Sequence, residues 1–285
     1  MGETVHLVSM KDGGRIALYR LHGKKSTGLP VIVAHGTISN ADTVRTLGKF
    51  LAERGFDCWL LEWAGHGQSK PASSKQNFEY PAFHDLPAAV QFVLDHTQKP
   101  QVLWVAHSGG GHLPLMYLTR HPEKQSQFAG TVIMGTQSTH AAPRFREKFA
   151  GVVLWCITML MNRTPKAILP LGNEHEPTRL LLQWAKWNMN QRWLGTDGLD
   201  YMATLAKLTV PTVVVAGGND IIAPAAGCRM IYDAIGSTDK TWILCAESNG
   251  FSKDLAHGQL IRGVVAQNEV FPRLAEWLSQ RIGQC

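Results

Sequence analysis

The sequence predicts an α/β protein: one mostly parallel central sheet with helices on both faces and a helical cap inserted into it. Two observations carry this reading. Short, continuously apolar runs alternate with amphipathic stretches of helical period over residues 30–135 and again over 210–282. That is the pattern of strands buried on both faces by crossover helices. Between Thr136 and about Leu208 the rhythm stops, and only helical pattern remains. At 285 residues, 45% hydrophobic and 18% charged, the chain has material for one large core.

Taken in order, two alternating segments, 5–10 and 15–22, flank Asp12-Gly13-Gly14 and read as a hairpin. A strand over 30–34 follows, then a helix over 44–54 closed by Gly55. Strand 56–63, helix 84–96, strand 101–106, helix 110–120 and strand 130–135 continue the alternation. The interruption holds two helical patterns, 148–161 and 179–190. Strand 210–216 and helix 224–235 resume it, with Pro224 at the first helical position, where its missing N–H costs nothing. Strand 240–246 and helix 268–282 complete the chain. The expected division is a core of residues 1–137 and 206–285 and a cap of residues 138–205. The cap would lie over the C-terminal ends of the strands, where open α/β sheets bind ligands.

Composition excludes several classes. The formal charge is +6, but Lys and Arg are scattered, with no run longer than Lys24-Lys25, so no nucleic-acid partner is expected. Cysteines stand at 58, 156, 228, 245 and 285, an odd number without metal-ligand spacing. Cys58 and Cys245 read as small core residues of a reduced, cytoplasmic chain. Residues 1–14 lack the apolar region of a secretory signal, and His6 breaks the myristoylation pattern after Gly2. The longest apolar stretch, 149–161, would form a helix of roughly 20 Å against a hydrocarbon core of about 30 Å, so no membrane span is expected. Glu174-His175-Glu176 has no metal-ligand spacing, and Gly217-Gly218 lacks the rest of a nucleotide fingerprint. No metal and no cofactor are expected.

The chemistry concentrates at Ala106-His107-Ser108-Gly109-Gly110, after a strand and at the start of a helix. A serine on so sharp a turn is pushed out above the sheet, and the residues two before and two after it must be small. The usual pattern has glycine at both places, so Ala106 is a departure that still meets the steric need. Gly109 would offer its backbone N–H to a tetrahedral oxyanion. His35-Gly36-Thr37 closes the strand 30–34, the place that supplies a second such donor, read as the Thr37 N–H. His35 itself reads as a packed loop histidine. A serine hydroxyl needs a general base held by an acid. Asp220 ends the strand 210–216, and His257 lies in the loop after 240–246. Glu247 is a rival acid, and His112, His140 and His175 are rival bases. Of these, His112 reads as lining the surface of the helix after the nucleophile.

These residues carry a resemblance to the α/β-hydrolase superfamily. The stretch from Asn77-Phe78-Glu79-Tyr80 through Asp85-Leu86-Pro87-Ala88-Ala89 to His107-Ser108-Gly109-Gly110 resembles the acid lipases. So does His257-Gly258 followed by Leu260-Ile261-Arg262-Gly263. The segment from Pro170-Leu171-Gly172 to Trp184 and Trp187 is similar to the short cap of bacterial α/β-hydrolases. The resemblance implies a serine hydrolase with Ser108, Asp220 and His257 as its triad. Its substrate would be a small acyl compound, a carboxylic ester or thioester with an apolar part. Acyl transfer, thioesterase-cyclase work and amide or aminopeptide cleavage use the same triad and stand as alternatives. At Glu62 and Ala64 related esterases often carry Asp and Arg, and Gly65-His66-Gly67 reads as a structural turn. A dehalogenase or epoxide hydrolase would place Asp at position 108.

Four of the nine tryptophans, at 155, 184, 187 and 193, fall in the insertion beside Met159, Met161 and Met189. Aromatic rings and pliable thioethers suit an adaptable apolar pocket. The substrate-facing set is read as Trp155, Met159, Trp184 and Trp187. The competing reading is that they form the cap's own core, since Trp184 and Trp187 share a helix face.

Overall fold

The computed structural model describes residues 2–23, 28–71, 76–141, 174 and 176–282. Eight strands form one sheet: β1 (Gly2–Ser9), β2 (Arg15–His22), β3 (Pro30–Ala34), β4 (Asp57–Glu62), β5 (Val102–His107), β6 (Phe128–Met134), β7 (Thr212–Gly217) and β8 (Lys240–Cys245). Their spatial order is β1-β2-β4-β3-β5-β6-β7-β8. The β1–β2 and β2–β4 pairs are antiparallel, and every pair from β4 to β8 is parallel. The helices are α1 (Ala41–Glu53), α2 (Leu86–Thr97), α3 (His112–Arg120), α4 (Thr178–Asn190), α5 (Tyr201–Thr204), α6 (Ala225–Ala234) and α7 (Phe271–Ile282).

Strand alternation divides the core into two layers. Val31 and Val33 of β3, with Leu103 and Val105 of β5, pack on one face with α1 and α7 residues such as Leu47, Leu51, Leu274 and Leu278. Ile32 and Ala34, with Trp104 and Ala106, pack on the other with α2, α3 and α6. All of β3, β5 and β7 is buried, which is why these segments read as unbroken apolar runs. Cys58 and Cys245 are fully buried.

Several boundaries differ from the sequence reading, each for a local reason. The first helix begins at Ala41, three residues before its apolar stripe, because the Asn40 side chain caps it by accepting from the Asp42 N–H at 3.1 Å. The second is preceded by a π turn over Pro81–Asp85, and the last by another over Ala266–Val270. The third begins as a 3₁₀ turn at Ser108–Gly111 before becoming α-helical at His112. Pro224 stands one residue before its helix rather than at the first helical position, and its extended backbone turns the chain into α6.

The predicted helix 148–161 lies outside the described residues. In the remainder of the insertion, α4 and α5 are the helices, and strand pairing is limited to one bridge between Leu194 and Asp200 among the described residues. Among those residues, no helix is long and apolar enough to cross a membrane.

Candidate active site

The loops that leave the C-terminal ends of β3, β5, β6, β7 and β8 converge above the sheet. At the end of β5 the chain turns within one residue, and Ser108 takes a left-handed conformation with φ 54°. Four non-glycine residues have positive φ among the described residues: Ile38, Gln98, Ser108 and Gln191. Gln98 and Gln191 end α2 and α4, an ordinary place for that conformation. Ser108 and Ile38 end no helix. Both line one cavity, and backbone strain of this kind, worth about 1–3 kcal/mol per residue, persists only where surrounding contacts hold it.

Those contacts are tight. A methyl group on Gly110 would lie 2.4 Å from the His35 carbonyl oxygen, and one on Gly36 would lie 2.8 Å from Ser108 Cβ. The elbow and the loop after β3 therefore touch backbone to backbone. Thr136, just past β6, donates its hydroxyl to the Ser108 carbonyl at 2.7 Å.

Ser108, His257 and Asp220 come together in a chain of hydrogen bonds. Ser108 Oγ stands 2.9 Å from His257 Nε2, and His257 Nδ1 donates to Asp220 Oδ2 at 2.7 Å. Asp220 Oδ1 accepts from the N–H groups of Ile222 and Ala223 at 2.9 and 2.8 Å. The carboxylate is thus fixed at both oxygens. His107 packs its ring 4.6 Å from that of His257 and donates Nε2–H to the His257 carbonyl at 3.1 Å. Burial holds the His107 imidazole well below its ordinary value, with the charges of His257 and Arg262 acting in the same direction. Glu247 sits in an exposed turn and His140 bonds Thr139, so neither joins this chain. His175 lies outside the described residues.

Thr37 and Gly109 meet across the gap between the two loops: a methyl on Gly109 would lie 3.1 Å from the Thr37 nitrogen. Both residues line the cavity with Ser108.

The loop carrying Thr37 is held from below by groups to which the sequence reading gave no such role. Glu176, from the segment before α4, accepts the Ile38 N–H at Oε2 over 2.5 Å, and the same oxygen lies 3.2 Å from His66 Nε2. Glu176 and His66 are each 1% exposed. Burial opposes a charge on His66, but the Glu176 carboxylate outweighs it and raises the ring above its ordinary value. His66 stacks on Trp63 at 5.3 Å, and Trp63 Nε1–H donates to His35 Nδ1 at 2.5 Å. His35 is fully buried, and burial keeps it neutral. Beside this group, Glu62 accepts from the Tyr19 hydroxyl at 2.8 Å and the Gln68 N–H at 2.7 Å. Gly65-His66-Gly67 does form a turn, but its histidine belongs to a buried ion pair. A lone His and a Glu separated by 110 residues give no local signal of such a pair.

The cavity has a volume of about 230 Å³. Its apolar wall is Ile38, Phe78, Leu181, Leu182, Trp184, Ile222 and Ala223. His112 lines it too, which corrects its placement on the helix surface: it is 2% exposed, with Nε2 3.1 Å from both the Gln137 carbonyl and Ser138 Oγ. Burial pushes its imidazole down to about 4, so it is neutral. It has no solvent face to occupy, because α3 is buried on every side from His112 to Thr119. The two cap tryptophans part company. Trp184 faces the cavity, whereas Trp187 is 2% exposed, stacks on Phe78 at 5.3 Å and donates to the Leu194 carbonyl at 2.7 Å. Trp155 and Met159 lie outside the described residues. Among the described residues, no group of His, Cys, Asp and Glu is placed to hold a metal ion.

A second, polar pocket of about 210 Å³ meets the first at Ser108 and Thr37. It is also lined by His257, Gly258 and Arg262 and, from the start of α1, by Ser39 and Thr43.

This architecture recurs among solved hydrolases. A thermophilic esterase from Thermogutta terrifontis superposes with a TM-score of 0.67 at 16% identity, covering 98% of this chain and 99% of that one. A monoacylglycerol lipase from Paleococcus ferrophilus superposes with a TM-score of 0.64 at 18% identity, covering 93% and 99%. In sequence, the human lysosomal acid lipase/cholesteryl ester hydrolase is 32% identical over 139 residues, 41% of this chain and 35% of that protein. The chain therefore spans about a third of the length of the curated relatives it matches. The family model described as serine aminopeptidase, S33, matches residues 27–248. With that match running from before β3 to past β8, the chain belongs to this family of α/β-hydrolases.

Proposed function

We propose that this protein is a serine hydrolase that cleaves a carboxylic ester or thioester with an apolar acyl part through an acyl-enzyme. The observation that carries this reading is the chain Ser108–His257–Asp220, with contacts of 2.9 and 2.7 Å.

Ser108 Oγ attacks the substrate carbonyl carbon while His257 Nε2 takes its proton. Asp220 holds His257 in the tautomer with hydrogen on Nδ1 and stabilises the imidazolium that forms. The N–H groups of Thr37 and Gly109 receive the oxyanion. The C–O bond to the alcohol then breaks, and His257 returns the proton to the departing oxygen. Water, deprotonated by the same imidazole, attacks the acyl-enzyme and frees the acid and Ser108.

The two pockets support one direction for the substrate. The proton donor must lie beside the leaving oxygen, so the alcohol belongs in the polar pocket that contains His257. The acyl chain then occupies the cavity walled by Leu181, Leu182 and Trp184. No charged side chain lines that cavity among the described residues. An apolar acyl chain suits it, whereas the ammonium of an aminopeptidase substrate would find no carboxylate there.

The test is fluorophosphonate labelling, followed by turnover of nitrophenyl esters of rising chain length. Labelling at Ser108 is expected, with kcat/KM rising beyond acetate. Ser108→Ala should lose labelling and about 10⁵- to 10⁶-fold in kcat. A flat response beyond acetate would count against the apolar acyl site. Product analysis with an added alcohol or amine separates hydrolysis from acyl transfer.

A further inference from the structure

The polar pocket carries a feature that ester cleavage alone does not use. Arg262 is the one charged side chain lining it among the described residues. Arg262 makes no salt bridge or hydrogen bond within the described residues; Arg15, Arg54, Arg179 and Arg273 are likewise without an ion pair, but none of these lines this pocket. It follows Leu260 and Ile261, both fully buried, so its backbone is anchored while its head is exposed.

The start of α1 also lines the pocket. Ser39 and Thr43, which hydrogen-bond to each other, line it there, while the helix's own positive end is met by Glu62, which accepts the Ala41 N–H at 3.4 Å, and by Glu174, which accepts from Asn40 at 2.9 Å. The acid of that first turn, Asp42, is held by Arg45 at 2.9 Å and does not line the pocket. A leaving alcohol in this space meets the hydroxyls of Ser39 and Thr43 and the unpaired guanidinium of Arg262, and no carboxylate lines the pocket among the described residues. Arginine binds carboxylate and phosphate in the same bidentate geometry, so either anion fits.

We propose that the polar pocket beside His257 selects esters whose alcohol part carries an anionic group, phosphate or carboxylate, recognised by Arg262. This inference rests on the ester-cleavage reading above and deepens it: the substrate is an amphiphile, apolar in its acyl half and anionic in its alcohol half.

The test holds the acyl group constant and varies the alcohol. Octanoyl esters of glycerol, glycerol 3-phosphate and glycerate are compared by kcat/KM, for the wild type and for Arg262→Gln. At least one anionic ester is expected to exceed the glycerol ester by about tenfold at low salt, with the advantage shrinking as ionic strength rises. Whichever ester gains identifies the anion. Arg262→Gln should bring the ratio close to one, and Arg262→Glu should invert it. A glycerol ester turned over as well as both anionic esters overturns the subsite and leaves ester cleavage standing. So does a ratio that survives Arg262→Gln. Protection of Ser108 from fluorophosphonate by glycerol 3-phosphate reads the subsite without turnover. Such protection, lost in Arg262→Gln and found in a protein that cleaves none of the esters, upholds the subsite and overturns the hydrolysis reading alone.

Discussion

Two loops meet at Ser108, and they are held in opposite ways. The elbow from Ala106 to Gly110 is fixed by sterics over a few residues: there is no room for a side chain at Gly110, and the strained serine sits between a buried strand and a buried helix. The loop from His35 to Asn40 is strained too, at Ile38, but its support comes from far along the chain. Glu176 holds the Ile38 N–H, Asn40 donates to Glu174 at 2.9 Å, and His66 and Trp63 pack underneath. One half of the site is thus made by local geometry. The other depends on a buried carboxylate that reaches in from the segment before α4.

The comparison predicts that the elbow tolerates no added atom, whereas the loop responds to loss of one acceptor. Gly110→Ala should have the larger effect, since its methyl meets the His35 carbonyl oxygen at 2.4 Å and must push the two loops apart. Displacing catalytic groups by about 1 Å costs on the order of 100-fold. We expect at least that loss in kcat, with a lower Tm by thermal unfolding. Wild-type activity in this variant would break the steric half of the comparison.

Glu176→Met comes next. It keeps the volume but removes the acceptor for Ile38, freeing the peptide next to Thr37. Loss of one oxyanion donor costs about 10²–10³-fold, and partial misplacement less, so kcat should fall about 10- to 100-fold with KM nearly unchanged. Glu176→Gln retains an acceptor and should recover most of the rate. An equal fall in both variants would mean that the charge, not the hydrogen bond, holds the loop.

The smallest effect is on stability against pH. Asp85 is fully buried behind this loop, where it accepts the Ala64 N–H at 2.6 Å, and burial pushes its carboxyl up to about 7 from 3.8. A raised value means that the fold favours the protonated form. Its stabilisation is therefore complete below the unfolded value of about 4 and is lost as pH rises through about 7. His112, pushed down to about 4 by burial, acts in the other direction: its contribution is complete above 6.5 and is lost as pH falls toward 4. Asp85→Asn should flatten the alkaline side, shifting Tm upward by a few degrees at pH 8 and least at pH 4. Equal shifts at both pH values would show that Asp85 acts by packing.

The alternation of apolar runs and amphipathic helices was enough to read the sheet, because burial on both faces leaves its mark on every residue of β3, β5 and β7. The small residues around Ser108 were legible for a similar reason, since a tight turn constrains residue types within two positions. Asp220 and His257 were readable from where they fall after β7 and β8. Other features had no local trace. Whether Trp184 or Trp187 faces the cavity depends on how α4 is rotated against Phe78, and both orientations give the same spacing. His112 is buried because α3 is enclosed on every side from His112 to Thr119. Glu176 and His66 pair across 110 residues, and Ser108 joins its two pockets only when five loops close around it. Sequence determined what depends on neighbours along the chain: strands, helix faces and the elbow. Tertiary structure decided what depends on neighbours in space: the brace beneath Thr37, the wall of the apolar cavity and the unpaired Arg262 beside His257.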